Sequence, residues 1–247
     1  MRRRNAIPIA SAAGLLALVG LTGIAVPTEA GPECEGRAVT IAGTDGDDVL
    51  QGTKAPDVIE AGGGDDTIES LGGNDTVCAG EGNDRVDGGN GNDRIDGGEG
   101  NDYLEENYGD GTAAGGPGDD RVVGYAGIDT VEGGPGEDTI RGGIGFDTLV
   151  GGSADDTLEP EKGHDVVDGG PGADTAVYAH EPAAVTADLG KHSTFRSAGR
   201  DSLPSIENLT GSGFDDTLYG DGGPNVLRGG AGRDRLVGRG GKDTLLQ

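Results

Sequence analysis

Gly88-Gly89-Asn90-Gly91-Asn92-Asp93-Arg94-Ile95-Asp96 is one copy of a nine-residue unit that recurs without interruption from residue 43 to residue 177. Fifteen such units fill this block, and four more follow between residues 211 and 246. Repetition at a fixed short period is the sequence signature of architectures in which each unit stacks on its neighbours. The repeat therefore predicts the architecture of this chain.

Three positions of the unit carry its chemistry. The sixth is an aspartate in every unit of the long block except the eighth unit, which has Gly111. In the same block the eighth position is always apolar, and the fourth is glycine except at Ala55 and Ala154. Glycine adopts the positive φ that a sharp turn requires. One apolar residue between two variable ones fits a three-residue strand with its central side chain inward. Each unit is therefore predicted to be a turn followed by a very short strand.

The period also predicts how the units assemble into an all-β solenoid. Two strands and two turns make one coil of eighteen residues, so unit n lies over unit n+2. Coils that stack at about 4.8 Å would make the long block roughly 36 Å long. The aspartates then form two ladders, one on each edge of the solenoid.

Stacked carboxylates at a strand spacing repel one another unless a cation lies between them. Calcium accepts six to eight oxygens in loose geometry, whereas magnesium needs a tight octahedron and zinc prefers nitrogen or sulfur. The sequence therefore predicts multiple Ca²⁺ ions as cofactors. The predicted ligands are the sixth-position aspartates of both blocks: Asp48, Asp57, Asp66, Asp75, Asp84, Asp93, Asp102, Asp120, Asp129, Asp138, Asp147, Asp156, Asp165, Asp174, Asp216, Asp234 and Asp243.

The fifth and ninth positions are not predicted to bind metal. The fifth is Asp or Asn in many units but varies elsewhere, as at Pro56 and Phe146, so its side chain is expected to face solvent. Acidic residues at the ninth position, such as Asp96 and Glu132, are expected to be ordinary surface charges.

These residues resemble the RTX, or haemolysin-type, calcium-binding repeat Gly-Gly-x-Gly-x-Asp-x-(aliphatic)-x. The resemblance covers residues 43–177 and 211–246 and implies a right-handed parallel β-roll with Ca²⁺ bound between successive turns on the same edge. The chain departs from the repeat at Gly111, at Ala55 and Pro56, and at Asn225. Because Gly111 should stack between Asp93 and Asp129, the sites on both sides of it are expected to lack a carboxylate.

The amino terminus predicts export. Arg2, Arg3 and Arg4 precede an apolar run, and small residues around Ala30 suit cleavage before Gly31. Residues 1–30 are therefore predicted to be a cleaved signal peptide. A retained membrane anchor is the alternative, since the run is near spanning length, and a twin-arginine route is a further possibility. The protein is predicted to be secreted and, after cleavage, not membrane-bound.

Two further segments flank the long block. Residues 31–42 are predicted to cap its open end, because terminal coils expose unpaired strand edges. Two cysteines, Cys34 and Cys78, would tie that cap to the fourth unit through a disulfide, as an even count in an exported chain favours; free thiols are the alternative. Residues 178–210 lose the register and are predicted to be an irregular β segment that bridges to a second short β-roll, residues 211–247.

Charge and motifs narrow the function. Acidic residues outnumber basic ones 45 to 18, which argues against nucleic acid as a partner. The three histidines form no zinc-ligand pattern and the chain has no Gly-x-Ser-x-Gly motif, so it is not predicted to be an enzyme. The favoured function is a secreted calcium-binding β-roll that folds on binding several Ca²⁺ ions and acts as a structural or interaction module outside the cell. The alternative is the non-catalytic RTX portion of a secreted enzyme or toxin system. The sequence does not identify a cell-surface or extracellular partner.

Overall fold

A computed structural model describes residues 33–197 and 199–247 of the protein. The predicted signal peptide, residues 1–30, lies outside these ranges. The described chain is a parallel β-solenoid, and its one regular helical element in these ranges is the 3₁₀ turn Leu189–Lys191. No helix in this part of the chain has the length and apolar character needed to cross a membrane.

The first face of the solenoid is a parallel sheet of eleven strands. Within the long block it takes one strand from every second unit. Numbered together with the other strands in chain order, its members are β4 (Val49–Gln51), β6 (Thr67–Glu69), β8 (Arg85–Asp87), β10 (Tyr103–Tyr108), β12 (Arg121–Gly127), β14 (Thr139–Gly145), β16 (Thr157–Gly163), β18 (Thr175–Val177), β21 (Asn208–Thr210), β23 (Val226–Arg228) and β25 (Thr244–Leu246).

The second face takes its strands from the remaining units. Its parallel part consists of β3 (Ile41–Ala42), β5 (Val58–Gly63), β7 (Thr76–Glu81), β9 (Arg94–Glu99), β11 (Thr112–Ala114), β13 (Thr130–Pro135), β15 (Thr148–Ser153) and β17 (Val166–Asp168). Ser202 forms a parallel bridge to Val166 and an antiparallel bridge to Ser193. It thereby links this sheet to a four-stranded sheet ordered β20 (Ser193–Phe195), β19 (Thr186–Asp188), β22 (Thr217–Tyr219) and β24 (Arg235–Val237).

The stacking register is the one that the nine-residue period predicts. Leu104 lies opposite Val86 on one side and Val122 on the other, and each offset is eighteen residues. On the second face Ile95 lies opposite Ala113 with the same offset. Unit n therefore stacks on unit n+2, and the predicted all-β parallel roll is confirmed.

The core is a column of apolar side chains between the two faces, and within the repeats most of them come from the eighth position. These side chains are buried along the long block and into the second one, from Ile59 to Leu227. Leu50 and Leu236 pack only partly against the column, and Leu245 in the last strand is 47% exposed. One apolar side chain per unit thus fills the interior, as the alternation within each short strand requires.

A hairpin lies against the outer side of the second face near the amino-terminal end of the solenoid. Its strands β1 (Glu33–Cys34) and β2 (Arg37–Ala38) are antiparallel, and β3 then enters the second face opposite β5. Cys34 is buried and forms a disulfide with Cys78, with the two Cα atoms 5.9 Å apart. The predicted disulfide is confirmed, and it ties the hairpin to the body of the solenoid.

The two blocks of repeats belong to one solenoid. Strand β18 of the last unit of the long block pairs with β21, and β21 pairs with β23 of the second block. The interrupting residues 178–210, predicted to be an irregular β segment that bridges the two blocks, supply strands to both faces. The physical reason is that this segment keeps pieces of the repeat, including Gly199-Arg200-Asp201-Ser202-Leu203.

Candidate metal centre

Sixth-position aspartates form two ladders along the edges of the solenoid. In each ladder the Oδ1 atom of one aspartate accepts the backbone N–H of the aspartate one coil earlier. Asp84 N–H donates to Asp102 Oδ1 at 2.8 Å, and Asp102 N–H donates to Asp120 Oδ1 at 2.8 Å. Asp129 N–H donates to Asp147 Oδ1 on the other edge at 2.9 Å. These bonds fix each carboxylate in one orientation.

The second oxygen of most ladder aspartates is buried and lacks a hydrogen-bond partner. A buried carboxylate oxygen without a partner is strongly destabilising. The aspartates whose Oδ2 atom is in this condition are Asp66, Asp75, Asp84, Asp93, Asp102, Asp120, Asp129, Asp138, Asp147, Asp156, Asp174 and Asp234. Twelve of the seventeen predicted ligands therefore present one oxygen each that a cation could satisfy.

Backbone carbonyls converge on the same places. At Gly97, the first residue of its unit, a Cβ atom would run into both Asp102 Oδ2 and the carbonyl oxygen of Gly115 in the next coil. At Gly145, a fourth-position residue, it would run into Asp147 Oδ1 and the carbonyl oxygen of Gly127 in the preceding coil. The missing side chains thus leave cradles lined by carboxylate and carbonyl oxygens. This donor set suits a hard cation such as Ca²⁺ and offers neither nitrogen nor sulfur.

Carboxylates alone do not complete a site. Within residues 33–197 and 199–247, no group of three or more His, Cys, Asp or Glu side chains could hold a metal ion. Any metal in the ladders must therefore take carbonyl oxygens as well, which calcium accepts readily.

Burial perturbs the ladder carboxyls as expected for charges without counterions. It raises the pKa of Asp120 and of Asp129 to about 7, and that of Asp93 and Asp102 to about 6. The hydrogen bond from the preceding backbone N–H opposes this rise, and neighbouring carboxylates add to it. Without a cation, the folded chain thus binds protons at these groups more tightly than an unfolded chain does.

Ladder residues at the beginning of each block are satisfied within their own turns. Asp48 Oδ2 accepts the N–H of Thr44, Asp57 Oδ2 that of Thr53, each at 2.7 Å, and Asp216 Oδ2 that of Ser212 at 2.5 Å. Asn225 Oδ1 accepts the N–H of Asp221 in the same way. The backbone N–H at the second position of these turns is thus the partner that the other ladder oxygens lack, so these turns are weaker candidates for a cation. Asp243 lies in the last turn and is half-buried.

In the part of the chain that the structure describes, Asp165 is the one predicted ligand that pairs with a cation of the protein. Its Oδ2 atom lies 2.9 Å from Nη2 of Arg196, whose side chain is fully buried. Burial still raises the pKa of Asp165 to about 7, with Arg196 opposing that rise.

The expectation that a carboxylate is missing around Gly111 was wrong. Gly111 stacks as predicted, donating its N–H to Asp129 Oδ1 at 3.1 Å. Glu106, at the first position of the same unit, turns its fully buried carboxylate into the vacant space. A Cβ atom on Gly111 would collide with Glu106 Oε1, and Asp93 N–H donates to that oxygen at 3.4 Å. Burial raises the pKa of Glu106 to about 8, and its Oε2 has no partner.

Two further ladder carboxylates come from the interruption. Asp201 Oδ1 accepts the N–H of Asp165 at 3.1 Å, and Glu207 Oε2 accepts that of Asp174 at 3.0 Å. Both were missed in the sequence, although Gly199-x-Asp201-x-Leu203 matches positions four to eight of the repeat. The surrounding loss of period concealed that half unit.

Fifth-position side chains are exposed, as predicted, but they also hydrogen-bond along the edge. Asn83 Oδ1 accepts the N–H of Asn101 at 3.0 Å, and Asn101 Oδ1 accepts that of Asp119 at 2.9 Å. On the other edge Asn92 Oδ1 accepts the N–H of Asp110 at 3.1 Å. This row explains the frequent Asp and Asn at the fifth position without a metal.

Fold and ladders together define a parallel β-roll with stacked acidic turns. The family model described as the RTX calcium-binding nonapeptide repeat matches residues 42–77, 79–105, 114–149, 141–176 and 210–245. The chain belongs to the RTX calcium-binding nonapeptide repeat family, and its buried, stacked aspartates fit calcium. A search of curated proteins found no match to the chain.

Proposed function

We propose that this protein is an exported β-roll that binds several Ca²⁺ ions between its stacked turns and folds as it binds them. The observation that carries this proposal is the row of buried Oδ2 atoms without a hydrogen-bond partner. Twelve aspartates share this condition, and they stand in register on both edges.

Electrostatics indicates why the ladders require a cation. Two carboxylates one strand spacing apart repel each other by about 3–4 kcal/mol at an effective dielectric constant of 20. The whole chain carries a formal net charge of −27, so repulsion accumulates along each edge. Calcium, when bound, supplies the positive charge that the carboxylates lack.

We call the space between two stacked aspartate turns of one ladder an interval. Several residues of the chain form each interval. The Oδ1 hydrogen bond orients the carboxylate, as Asp102 Oδ1 does with the N–H of Asp84. The first-position glycine leaves room beside Oδ2, and the carbonyl of the next coil lines that space, as at Gly97 and Gly115. Each aspartate touches two intervals, one through each oxygen. Filling one interval therefore orders the next, which favours cooperative folding.

A circular dichroism titration tests calcium-coupled folding. The protein should gain β-structure cooperatively as calcium is added to a chelator-treated sample, and magnesium at the same concentration should not replace it. A fully folded spectrum in excess chelator that calcium leaves unchanged would contradict the proposal.

Export and the extracellular role form the second part of the proposal. The arginines and apolar run at the amino terminus support export, and the disulfide between Cys34 and Cys78 suits an oxidising compartment. Calcium sites of modest affinity fill where calcium is abundant, as outside the cell. Amino-terminal sequencing of protein recovered from culture medium should begin at Gly31. Recovery of the intact chain in the membrane fraction would instead support a retained anchor.

We propose no catalytic role. His164 packs against Phe146, His192 Nδ1 lies 3.2 Å from Leu203 O, and His180 Nδ1 lies 3.6 Å from Glu159. These contacts are structural.

The alternative is that the chain is the non-catalytic portion of an enzyme or toxin system. Capture of binding partners from the producing cells, with calcium and with chelator, distinguishes the two functions. A scaffold should retain surface material only with calcium, whereas recovery of an enzyme would favour the alternative.

A further inference from the structure

One interval of the ladder that contains Asp147 and Asp165 holds a cation that the protein itself supplies, the guanidinium of Arg196. Arg196 follows β20 directly, and its side chain is fully buried. Nη2 lies 2.9 Å from Asp165 Oδ2 and 2.6 Å from Asp201 Oδ1, and Nε donates to Asp201 Oδ2 at 2.8 Å. Nη1 donates to the carbonyl oxygen of Glu161 and, at 2.5 Å, to Glu181 Oε1. The guanidinium is thus surrounded by carboxylate and carbonyl oxygens.

These oxygens correspond to the ones that regular intervals offer. We call each carboxylate of a ladder a rung. Asp165 and Asp201 are successive rungs, because Asp165 N–H donates to Asp201 Oδ1 just as Asp147 N–H donates to Asp165 Oδ1. Glu161 stands at the second position of its unit, like Gly80, whose carbonyl oxygen points at Gly98 in the next coil. The guanidinium therefore lies between two stacked turns and contacts both.

The preceding rung shows what the arginine changes. Asp147 and Asp165 are each 1% exposed and hold the same Oδ1 hydrogen bond from the backbone. Asp147 Oδ2 has no hydrogen-bond partner, whereas Asp165 Oδ2 is bound by Arg196. Backbone register and burial match, so the difference between the two rungs lies in the guanidinium.

We propose that Arg196 takes the place of a calcium ion in the interval between the turns of Asp165 and Asp201. The proposal rests on calcium binding in the regular intervals. Arginine suits the role because its guanidinium stays protonated and its planar donors can bridge several carboxylates at once. The interval needs no metal, and it holds the solenoid together where the nine-residue register is interrupted.

Calcium stoichiometry at saturation tests the substitution of metal by arginine. Arg196→Gln should bind one more Ca²⁺ than the unaltered protein, because the carboxylates of Asp165, Glu181 and Asp201 lose their counterion. Arg196→Lys keeps a cation in place and should bind the original number. Arg200→Gln is the matched control, since it removes the same charge from an exposed residue and should also leave the number unchanged. A folded Arg196→Gln protein with unchanged stoichiometry would overturn the proposal.

Hydrogen exchange in the unaltered protein gives a second measurement that does not depend on a variant folding. Ser202 N–H donates to Asp165 O and Val167 N–H to Ser202 O, both at 2.9 Å, across the Arg196 interval. Thr148 N–H donates to Asp129 O at 2.8 Å across a regular interval. As free calcium is lowered, Ser202 and Val167 should stay protected to lower concentrations than Thr148. Loss of protection at the same calcium concentration for all three would count against the proposal.

The calcium measurement also distinguishes failure of the proposed function from failure of the role assigned to Arg196. A protein that binds no calcium at all refutes calcium binding in the regular intervals. In that case a single new ion in Arg196→Gln would still support the role of Arg196, and no ion in that variant would refute it.

Discussion

The regular coils of the long block and the coil closed by Arg196 stack their carboxylates in the same register but provide for their charge differently. Asp147 accepts a backbone N–H with one oxygen, and its other oxygen has no hydrogen-bond partner. Asp165 makes the same backbone contact, yet its second oxygen is bound by a buried guanidinium. Whether an interval needs an external cation therefore depends on which side chains reach it and not on the backbone of the coil.

The two solutions require different lengths of chain. A guanidinium reaches the ladder only because an inserted stretch, with strand β20 and the turn that follows it, carries Arg196 out of the nine-residue register. A metal ion needs no such insertion, so nine residues per unit suffice in the regular coils. This explains why a short repeat accompanies metal-dependent turns while the self-closed turn interrupts the repeat.

The largest effect should come from pH, because burial raises the pKa of several ladder carboxyls together. Burial raises the folded-state pKa of Asp102 to about 6 and of Asp120 and Asp129 to about 7, from an ordinary value of 3.8. The folded chain thus binds these protons more tightly than the unfolded chain. Without calcium, its stability should be greatest below pH 3.8 as far as these groups are concerned, and should fall as pH rises towards 7.

Circular dichroism and thermal unfolding in chelator, from about pH 4 to about pH 8, measure this effect. With saturating calcium the trend should reverse, because binding requires ionised carboxylates. Stability in chelator that increases from acidic to neutral pH would contradict the assignment of uncompensated charge to the ladders.

A smaller effect is expected from removing one rung. Asp138 is 2% exposed, its Oδ1 accepts the N–H of Asp120 at 2.8 Å, and its Oδ2 has no partner. Asp138→Ala removes oxygens from two intervals and one charge-assisted hydrogen bond, which is typically about 1.5–3 kcal/mol. The calcium midpoint for folding should therefore rise clearly.

Glu132→Ala is the control for Asp138→Ala, because Glu132 is an exposed acid at the ninth position of the preceding unit. Its effect on stability should stay within about 0.5 kcal/mol. Equal shifts of the calcium midpoint for the two variants would mean that general acidity, and not a positioned ladder, governs binding.

The substitute rung at Glu106 should respond in a way that regular rungs do not. Gly111→Asp alone should bind no additional calcium, because its side chain would meet the carboxylate of Glu106. Glu106→Gly should weaken calcium binding, and combining it with Gly111→Asp should restore a regular turn. Calcium isotherms of the three variants test this, and a gain of bound calcium in Gly111→Asp alone would contradict the role of Glu106.

Much of this architecture follows from local sequence. A strict period of nine with an apolar eighth position determines which side chains enter the core, and two units per coil determine that Leu104 faces Val86 and Val122. The ladder aspartates follow from the same arithmetic. Such predictions succeed because every unit repeats the same turn, the same short strand and the same buried aspartate at fixed positions.

The exceptions depend on single residues that depart from the repeat. Glu106 could have been noticed as the only acidic first position in the long block, in the very unit that lacks its aspartate. Arg196 gives no such signal, since its partners Asp165 and Glu181 lie 31 and 15 residues away. Only the antiparallel pairing of β19 with β20 in the folded chain brings the guanidinium between two turns of the ladder.

The smallest effect should arise where the two regions are alike, in the exposed row of fifth-position side chains. Asn101 Oδ1 accepts the N–H of Asp119 at 2.9 Å in a regular coil, and His164 Nδ1 accepts the N–H of Arg200 at 3.2 Å across the Arg196 interval. Asn101→Ala and His164→Ala should each cost about 0.5–1 kcal/mol, because water can replace an exposed acceptor only in part.

Glu137 is the matched control for Asn101, since it stands at the same position two coils further along the same edge. Among the described residues, no backbone N–H of the following coil donates to its side chain, and Glu137→Ala should therefore leave thermal stability in saturating calcium nearly unchanged. A much larger loss in His164→Ala than in Asn101→Ala would mean that the Arg196 coil depends on its edge contacts as well as on its guanidinium. Similar small losses would leave the cation as the feature that distinguishes the two regions.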